Sequence, residues 1–133
     1  MSEPEAERMM ARSAPAISDR TRAYWTSGSE GVLRISRCGD CGFYIHPPKP
    51  VCPQCRGESI TFQPVSGDGV VDSFTVNRYQ WKPGMEPPYV IAEVELAEQN
   101  GLLVMTNIEG CAIEDVHIGM KVKVAFDHVD DAW

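Results

Sequence analysis

Cys38-Gly-Asp-Cys41 and Cys52-Pro-Gln-Cys55 are two Cys-x-x-Cys pairs with ten residues between them. The two-residue spacing lets both thiolates of a tight turn aim at one ion, and two such turns complete a tetrahedron. The residues around them suit that geometry. Gly39 and Gly42 flank Cys41, and Gly57 follows Cys55, so left-handed backbone angles are within reach, while Pro53 pre-sets the second turn. A redox dithiol, or two chance pairs, is the competing reading. The doubled pattern with turn-forming fillers favours one zinc ion held by Cys38, Cys41, Cys52 and Cys55. Four thiolates leave no position open for water or substrate, so an ion held this way is structural. Its contribution is large: structural zinc supplies ~10–16 kcal/mol in finger-type peptides, more than the ordering cost of a segment too short to bury its own core. His46 lies in the connection FYIHPPKPV between the pairs. It is a conceivable further ligand, but beside four cysteines packing is the better role.

The remaining chemistry-bearing residues do not form a recognisable catalytic set. His46, His117 and His128 stand at no spacing from a serine or cysteine that by itself marks a nucleophile and its base. Cys111 is the single cysteine outside the pairs. It could be a thiolase-type nucleophile, but acidic neighbours in TNIEGCAIEDV oppose thiolate formation and favour a structural role. Asp72, Glu93 and Glu95 could do acid–base work, yet alternation along strands reads better as a solvated face. No phosphate-cradling loop of the Walker or Rossmann kind is present.

Composition bounds the rest. The 133 residues suit one domain, or one small domain with a metal-stapled appendage. The 19 acidic residues outnumber the 12 basic ones, for a formal charge of −7. That field has the wrong sign for neutralising nucleic-acid phosphates. No apolar run approaches the ~20 residues a membrane-spanning helix needs. The opening MSEPEAERMM is acidic and lacks the apolar core of a secretory signal, so a cytoplasmic protein is expected. In that reducing compartment paired cysteines bind metal more often than each other.

The elements that must position these residues are short. Residues 1–17 carry mixed charge without a period and are expected to be mobile. Ser18 is placed to cap a helix through Asp19, Thr21, Ala23 and Tyr24 that ends near Gly28, inside an 18–31 helical segment whose Tyr24–Trp25 pair could anchor it or form a secondary contact with a partner. VLRIS reads as a strand leading into a ribbon over 32–62. Over 63–133, the Gly67-Asp68-Gly69 turn precedes VVDSFTV, and YVIAEVEL alternates Ala92, Val94 and Leu96 against Glu93 and Glu95. Asn100-Gly101 is a strong hairpin signal before LLVMTNI, and Val122, Val124 and Phe126 alternate with Lys121 and Lys123. Glu98, near a strand end, reads as solvated. About five short strands with little helix predict a mainly β chain whose C-terminal part is a closed or partly closed barrel of the OB type.

In order, RCGDCGFYIHPPKPVCPQC, SGDGVVDSFTV, PPYVIAEVEL, LLVMTNIEGC and IGMKVKVAFDHVDD resemble the DUF35 family from about Asp19 to Asp131. The resemblance implies a rubredoxin-like zinc ribbon joined to an OB-fold. It also implies a non-catalytic role beside a thiolase-superfamily enzyme, as a subunit or fused domain that binds the partner or acyl-CoA. NRYQWKPGM and AEVELAEQNGL look most like actinobacterial versions from steroid side-chain degradation, where the domain supports a thiolase-like aldolase acting by retro-aldol cleavage of a CoA thioester. An accessory acyl-CoA-binding subunit of another thiolase or HMG-CoA-synthase-type complex is the alternative that the resemblance implies. Members usually continue past the acidic VDD stretch with an apolar, proline-ended tail. This chain stops at Trp133, which reads as a shortened C-terminus.

The stretch from Asn77 to Tyr89 is long for a hairpin loop and holds Tyr79, Trp81 and Tyr89. Aromatic and Met side chains are enriched in interface cores, so it reads as a docking loop on the partner enzyme. Alternatively Arg78 or Lys82 meets a CoA phosphate, or the loop merely covers a barrel end. A single-stranded nucleic-acid module is a third class of function, since zinc ribbons and OB-folds serve it too. Such modules need a basic groove beside their aromatics, and the acidic balance disfavours it.

Overall fold

The structure, a computed structural model, describes residues 13–81, 83 and 85–133. Residues 1–12 of the N-terminal segment expected to be mobile, and Lys82 of the docking loop, lie outside the described residues.

Leu33–Cys38 (β1) buries Leu33 and Ile35 in one cluster and Cys38 in another, and its buried Ser36 hydroxyl donates to the Ile45 carbonyl. It pairs antiparallel with Tyr44–Ile45 (β2) on one side and Ile60–Val65 (β3) on the other, the latter in register from Leu33↔Val65 to Cys38↔Ile60. The strand β3 has no counterpart in the sequence reading. Its Pro64 lacks the N–H a ladder needs and hides the β-forming Ile60-Thr61-Phe62 run. An edge position, paired on β1 alone, accommodates that proline.

A second, four-stranded sheet has the order β6-β5-β4-β7, with Asp68–Asn77 (β4), Tyr89–Leu96 (β5), Leu103–Ile108 (β6) and Lys121–Lys123 (β7). In β5 the period of two is complete: Val90, Ala92, Val94 and Leu96 are buried and the residues between are not. Asn100-Gly101 makes the expected hairpin, with Gly101 at φ 78°. The expected Gly67-Asp68-Gly69 turn begins earlier, because Asp68 and Gly69 already pair with Lys123 and Leu96.

The two sheets remain separate, so the OB-type unit is not closed into a barrel. The run from Val122 to Phe126 shows why. β4 begins at Asp68, opposite Lys123, and one further bond from the Val124 N–H to the Gly67 carbonyl ends the pairing. Val124 and Phe126 then pack against the core without reaching β6. Leu33, Ile35 and Val65 of the first sheet share one core with Val71, Val90, Val94, Leu96 and Val104 of the second and with Leu102 of the hairpin between β5 and β6. Burying each such side chain contributes ~1.5–3 kcal/mol.

The N-terminal helix is shorter than expected: Arg22–Thr26 (α1), followed by a 3₁₀ turn over Ser27–Glu30. Ser18 does not cap it. Its N–H donates to Thr21 Oγ1 at 3.0 Å in a local turn, a competing arrangement open to Ser and Thr. The segment ends at Gly31, in the left-handed region at φ 72°, and not at Gly28. The chain end returns to this helix: the Trp133 N–H donates to the Trp25 carbonyl at 2.7 Å, and His128 stacks on Trp133 at 4.1 Å.

Candidate metal centre and docking loop

The first cysteine pair straddles the end of β1 and the second lies in the loop before β3. Each forms the same turn. The Gly42 N–H donates to the Cys38 carbonyl and the Arg56 N–H to the Cys52 carbonyl, both at 2.9 Å. Gly42 and Arg56 occupy equivalent left-handed positions, at φ 82° and 65°. Gly57 is therefore not the left-handed residue of the second turn. Its role is close approach: a side chain there would strike the Asp40 carboxylate and crowd Cys55 Sγ, towards which the Gly57 N–H points at 3.4 Å.

These turns bring the four sulfurs within 4.8 Å of one another, Cys38 to Cys55 at 3.5 Å and Cys41 to Cys52 at 3.6 Å. Zinc–sulfur bonds of ~2.3 Å span a tetrahedron with edges of about 3.8 Å, so the donor set fits one zinc ion. Charge requires the same. The Cys41 amide, with the Asp40 amide and neighbouring thiols, outweighs burial and lowers the Cys38 thiol to about 7. The Gly57 amide draws Cys55 down, but Cys38, Cys41 and burial overcome it and leave that thiol at about 12. Four clustered thiolates need a cation to coexist. Cys38, Cys41, Cys52 and Cys55 thus hold a structural zinc, and Ile45, Phe43 and Ile60 pack beneath it.

His46 is not part of this cluster. Its ring lies 4.9 Å from that of Tyr24, and burial lowers its pKa. Tyr24 packs against the shared core and meets Trp25 edge-on at 4.8 Å, and burial raises its phenol. Tyr24 and Trp25 thus join the helix to the ribbon and to the chain end. Cys111 is exposed and stands outside the metal cluster.

Tyr79 and Trp81 are the most exposed aromatics among the described residues, at 65% and 75%. Their rings meet edge-on at 4.7 Å. The Trp81 indole N–H donates to Asn77 Oδ1 at 2.8 Å, and the Asn77 amide donates to the Tyr79 carbonyl at 2.6 Å, so one side chain organises the pair. Arg78 is exposed beside them, and Tyr89 is half-buried at the start of β5, opposite Asn77.

Two polar clamps, one of them joining the ribbon to the OB-type unit, were not legible in the sequence. Gln99 accepts from the Tyr44 N–H at 2.8 Å and donates to the Tyr44 carbonyl at 3.0 Å, capping the edge of β2. Glu98, expected to be solvated, accepts from the Ser66 N–H at 3.0 Å and from the Ser66 hydroxyl at 3.2 Å. It fixes the corner between the two sheets. No periodicity marks either residue, because their partners lie 55 and 32 positions away.

Sequence comparisons agree with this architecture. The profile described as "ChsH2, rubredoxin-like zinc ribbon domain" matches residues 25–61, and "ChsH2, C-terminal OB-fold domain" matches residues 62–127. The chain is 35% identical to the 3-oxo-4,17-pregnadiene-20-carboxyl-CoA hydratase alpha subunit of Mycobacterium tuberculosis and 38% identical to a probable enoyl-CoA hydratase alpha subunit of Thermomonospora curvata. Those matches take in 90% and 84% of this chain but only 39% and 34% of the two relatives. It is 36% identical to a DUF35 domain-containing scaffold protein of Methanocaldococcus jannaschii, over 71% of this chain and 67% of that one. The benzoylsuccinyl-CoA thiolase subunit BbsA of Thauera aromatica is 32% identical over 62% of this chain and 56% of its own length. Among solved structures, a chain of the Ltp2-ChsH2(DUF35) aldolase superposes with a TM-score of 0.78 at 33% identity, over 88% of this chain and 91% of that one.

Proposed function

This chain belongs to the DUF35 family, and from that premise we propose that it is a non-catalytic accessory subunit that binds and stabilises a thiolase-like acyl-CoA aldolase. The observation that carries the reading is the likeness, along nearly the whole chain, to a DUF35 chain of an aldolase complex. The proposed reaction of the assembly is retro-aldol cleavage of a steroid side-chain CoA thioester, a substrate class suggested by the pregnadiene thioester named for the mycobacterial relative. In this division of labour the ribbon, residues 32–62, is the metal-stapled unit, and residues 63–133 supply the docking surface. A cytoplasmic location suits a centre that needs four reduced thiols.

Tyr79 and Trp81 are the proposed anchors, since exposed aromatics with a fixed mutual geometry bury area at little entropic cost. A direct CoA contact through Arg78 is less well supported. Residues 63–133 carry twelve acidic against four basic side chains, which opposes a polyanionic ligand. The same imbalance disfavours single-stranded nucleic acid. Titration calorimetry with the thiolase-like subunit tests the reading. Truncating a buried interface aromatic costs ~2–4 kcal/mol, so Trp81→Ala should bind about 30- to 1,000-fold more weakly with its zinc content unchanged. Parent-like affinity would exclude the loop as the docking contact.

A further inference from the structure

We propose that the docking surface continues from the loop across the adjoining half of the outer face of the four-stranded sheet, with Ile91 at its centre and Met105 at its border. The proposal rests on the accessory-subunit reading above and extends it to a surface and to the chemistry of the partner's matching face.

Area is the first argument. A stable protein–protein interface buries ~800 Å² on each partner. Two aromatic side chains supply ~150–250 Å² each, so Tyr79 and Trp81 leave roughly half of that to neighbouring surface. Strand register identifies the neighbour. Val90, Ala92 and Val94 point into the core, which sends Tyr89, Ile91 and Glu93 to the opposite face. Tyr89 lies opposite Asn77, Ile91 lies between Thr75 and Asn107, and Glu93 lies between Ser73 and Met105. The Trp81 indole is bonded to Asn77 itself, so the loop and this face form one continuous surface.

Charge is the second argument. The outer face of an antiparallel sheet ordinarily presents polar and charged side chains to water. Here the half nearest the loop is uncharged: Asn77, Tyr89, Thr75, Ile91 and Asn107. Met105 is 69% exposed in the middle of a strand, an unusual place for a large apolar side chain. Acidic residues begin in the row that Met105 shares, at Glu93, and continue at Glu95. An uncharged centre bordered by carboxylates is the composition of an interface core and its rim. The matching face of the thiolase-like subunit is therefore apolar at its centre, with Arg or Lys opposite Glu93.

The test uses the full zinc-loaded chain and the thiolase-like subunit in titration calorimetry. Met105→Glu and Thr75→Glu change exposed side chains, so zinc content and circular dichroism should match the parent. Each should weaken binding more than tenfold, whereas Glu114→Ala, on the exposed 3₁₀ turn, should leave affinity unchanged. If Trp81→Ala weakens binding while both sheet variants stay within twofold of the parent, the sheet face is overturned and the loop reading survives. If the sheet variants weaken binding and Trp81→Ala does not, the sheet face stands and the loop reading falls. A parent chain that fails to bind the subunit overturns both.

Discussion

Replacing Gln99 by Met removes the amide that joins the ribbon to the OB-type unit while keeping the length of the side chain. Two hydrogen bonds disappear, at 2.8 and 3.0 Å, and both end on the backbone of Tyr44. A protein hydrogen bond contributes ~0.5–1.5 kcal/mol net, so the pair accounts for about 1–3 kcal/mol. Tyr44 is half-buried, and water can reach part of the exposed edge of β2, which places the expected loss near ~2 kcal/mol. Gln99→Glu should do no better. Its carboxylate still accepts from the Tyr44 N–H but turns a second oxygen toward the Tyr44 carbonyl. Urea unfolding of the zinc-loaded chain reads the effect. With a slope of ~1–3 kcal/mol per molar urea, the midpoint should fall by about 1 M at unchanged slope. A midpoint within ~0.2 M of the parent would show that the clamp does not couple the two units, and that the shared core alone holds them together.

Cys38→Ser or Cys55→Ser should abolish stoichiometric zinc, read by elemental analysis, and unfold the ribbon; a metal-free ribbon that stays folded would refute the structural role. The ion needs thiolates, and without it Cys55 stands at about 12 and Cys38 at about 7, so protons compete more strongly as pH falls. Zinc affinity should therefore drop with acidification, by more than tenfold per unit below neutrality, as followed with a chromogenic chelator. Glu98→Ala should destabilise the chain by ~1–3 kcal/mol, because the Ser66 N–H and hydroxyl both lose their carboxylate; a change below ~0.3 kcal/mol would return Glu98 to the solvated face. Cys111→Ala should leave the activity of a reconstituted complex within a few fold, and a thousandfold loss with the complex intact would make that thiol a catalytic group.

The features legible in the sequence are those whose cause is local. Two residues between cysteines fix the knuckle geometry, so Cys38, Cys41, Cys52 and Cys55 could be assigned to one ion before any fold was known. Alternation from Tyr89 to Leu96 and the Asn100-Gly101 turn likewise carry their own physical reason, and β5 and its hairpin appear where they were expected. The exposed aromatic pair was also visible, because Tyr79 and Trp81 stand among prolines that exclude a core strand.

Tertiary structure decided what depends on distant partners. Glu98 and Gln99 look like ordinary polar turn residues until Ser66 and Tyr44 are brought beside them. Arg56 takes the left-handed position that composition would have given to Gly57, because Gly57 is the residue that must sit against Asp40 and Cys55. The alternating run through Phe126 has the period of a strand, but a strand continues only while a neighbour offers hydrogen bonds, and β4 begins opposite Lys123. For the same reason the OB-type unit stays open. Side-chain chemistry and spacing determined the zinc, the strand faces and the turns of this protein; the separation of its sheets and the clamps that orient its ribbon were decided by which backbone groups found partners far along the chain.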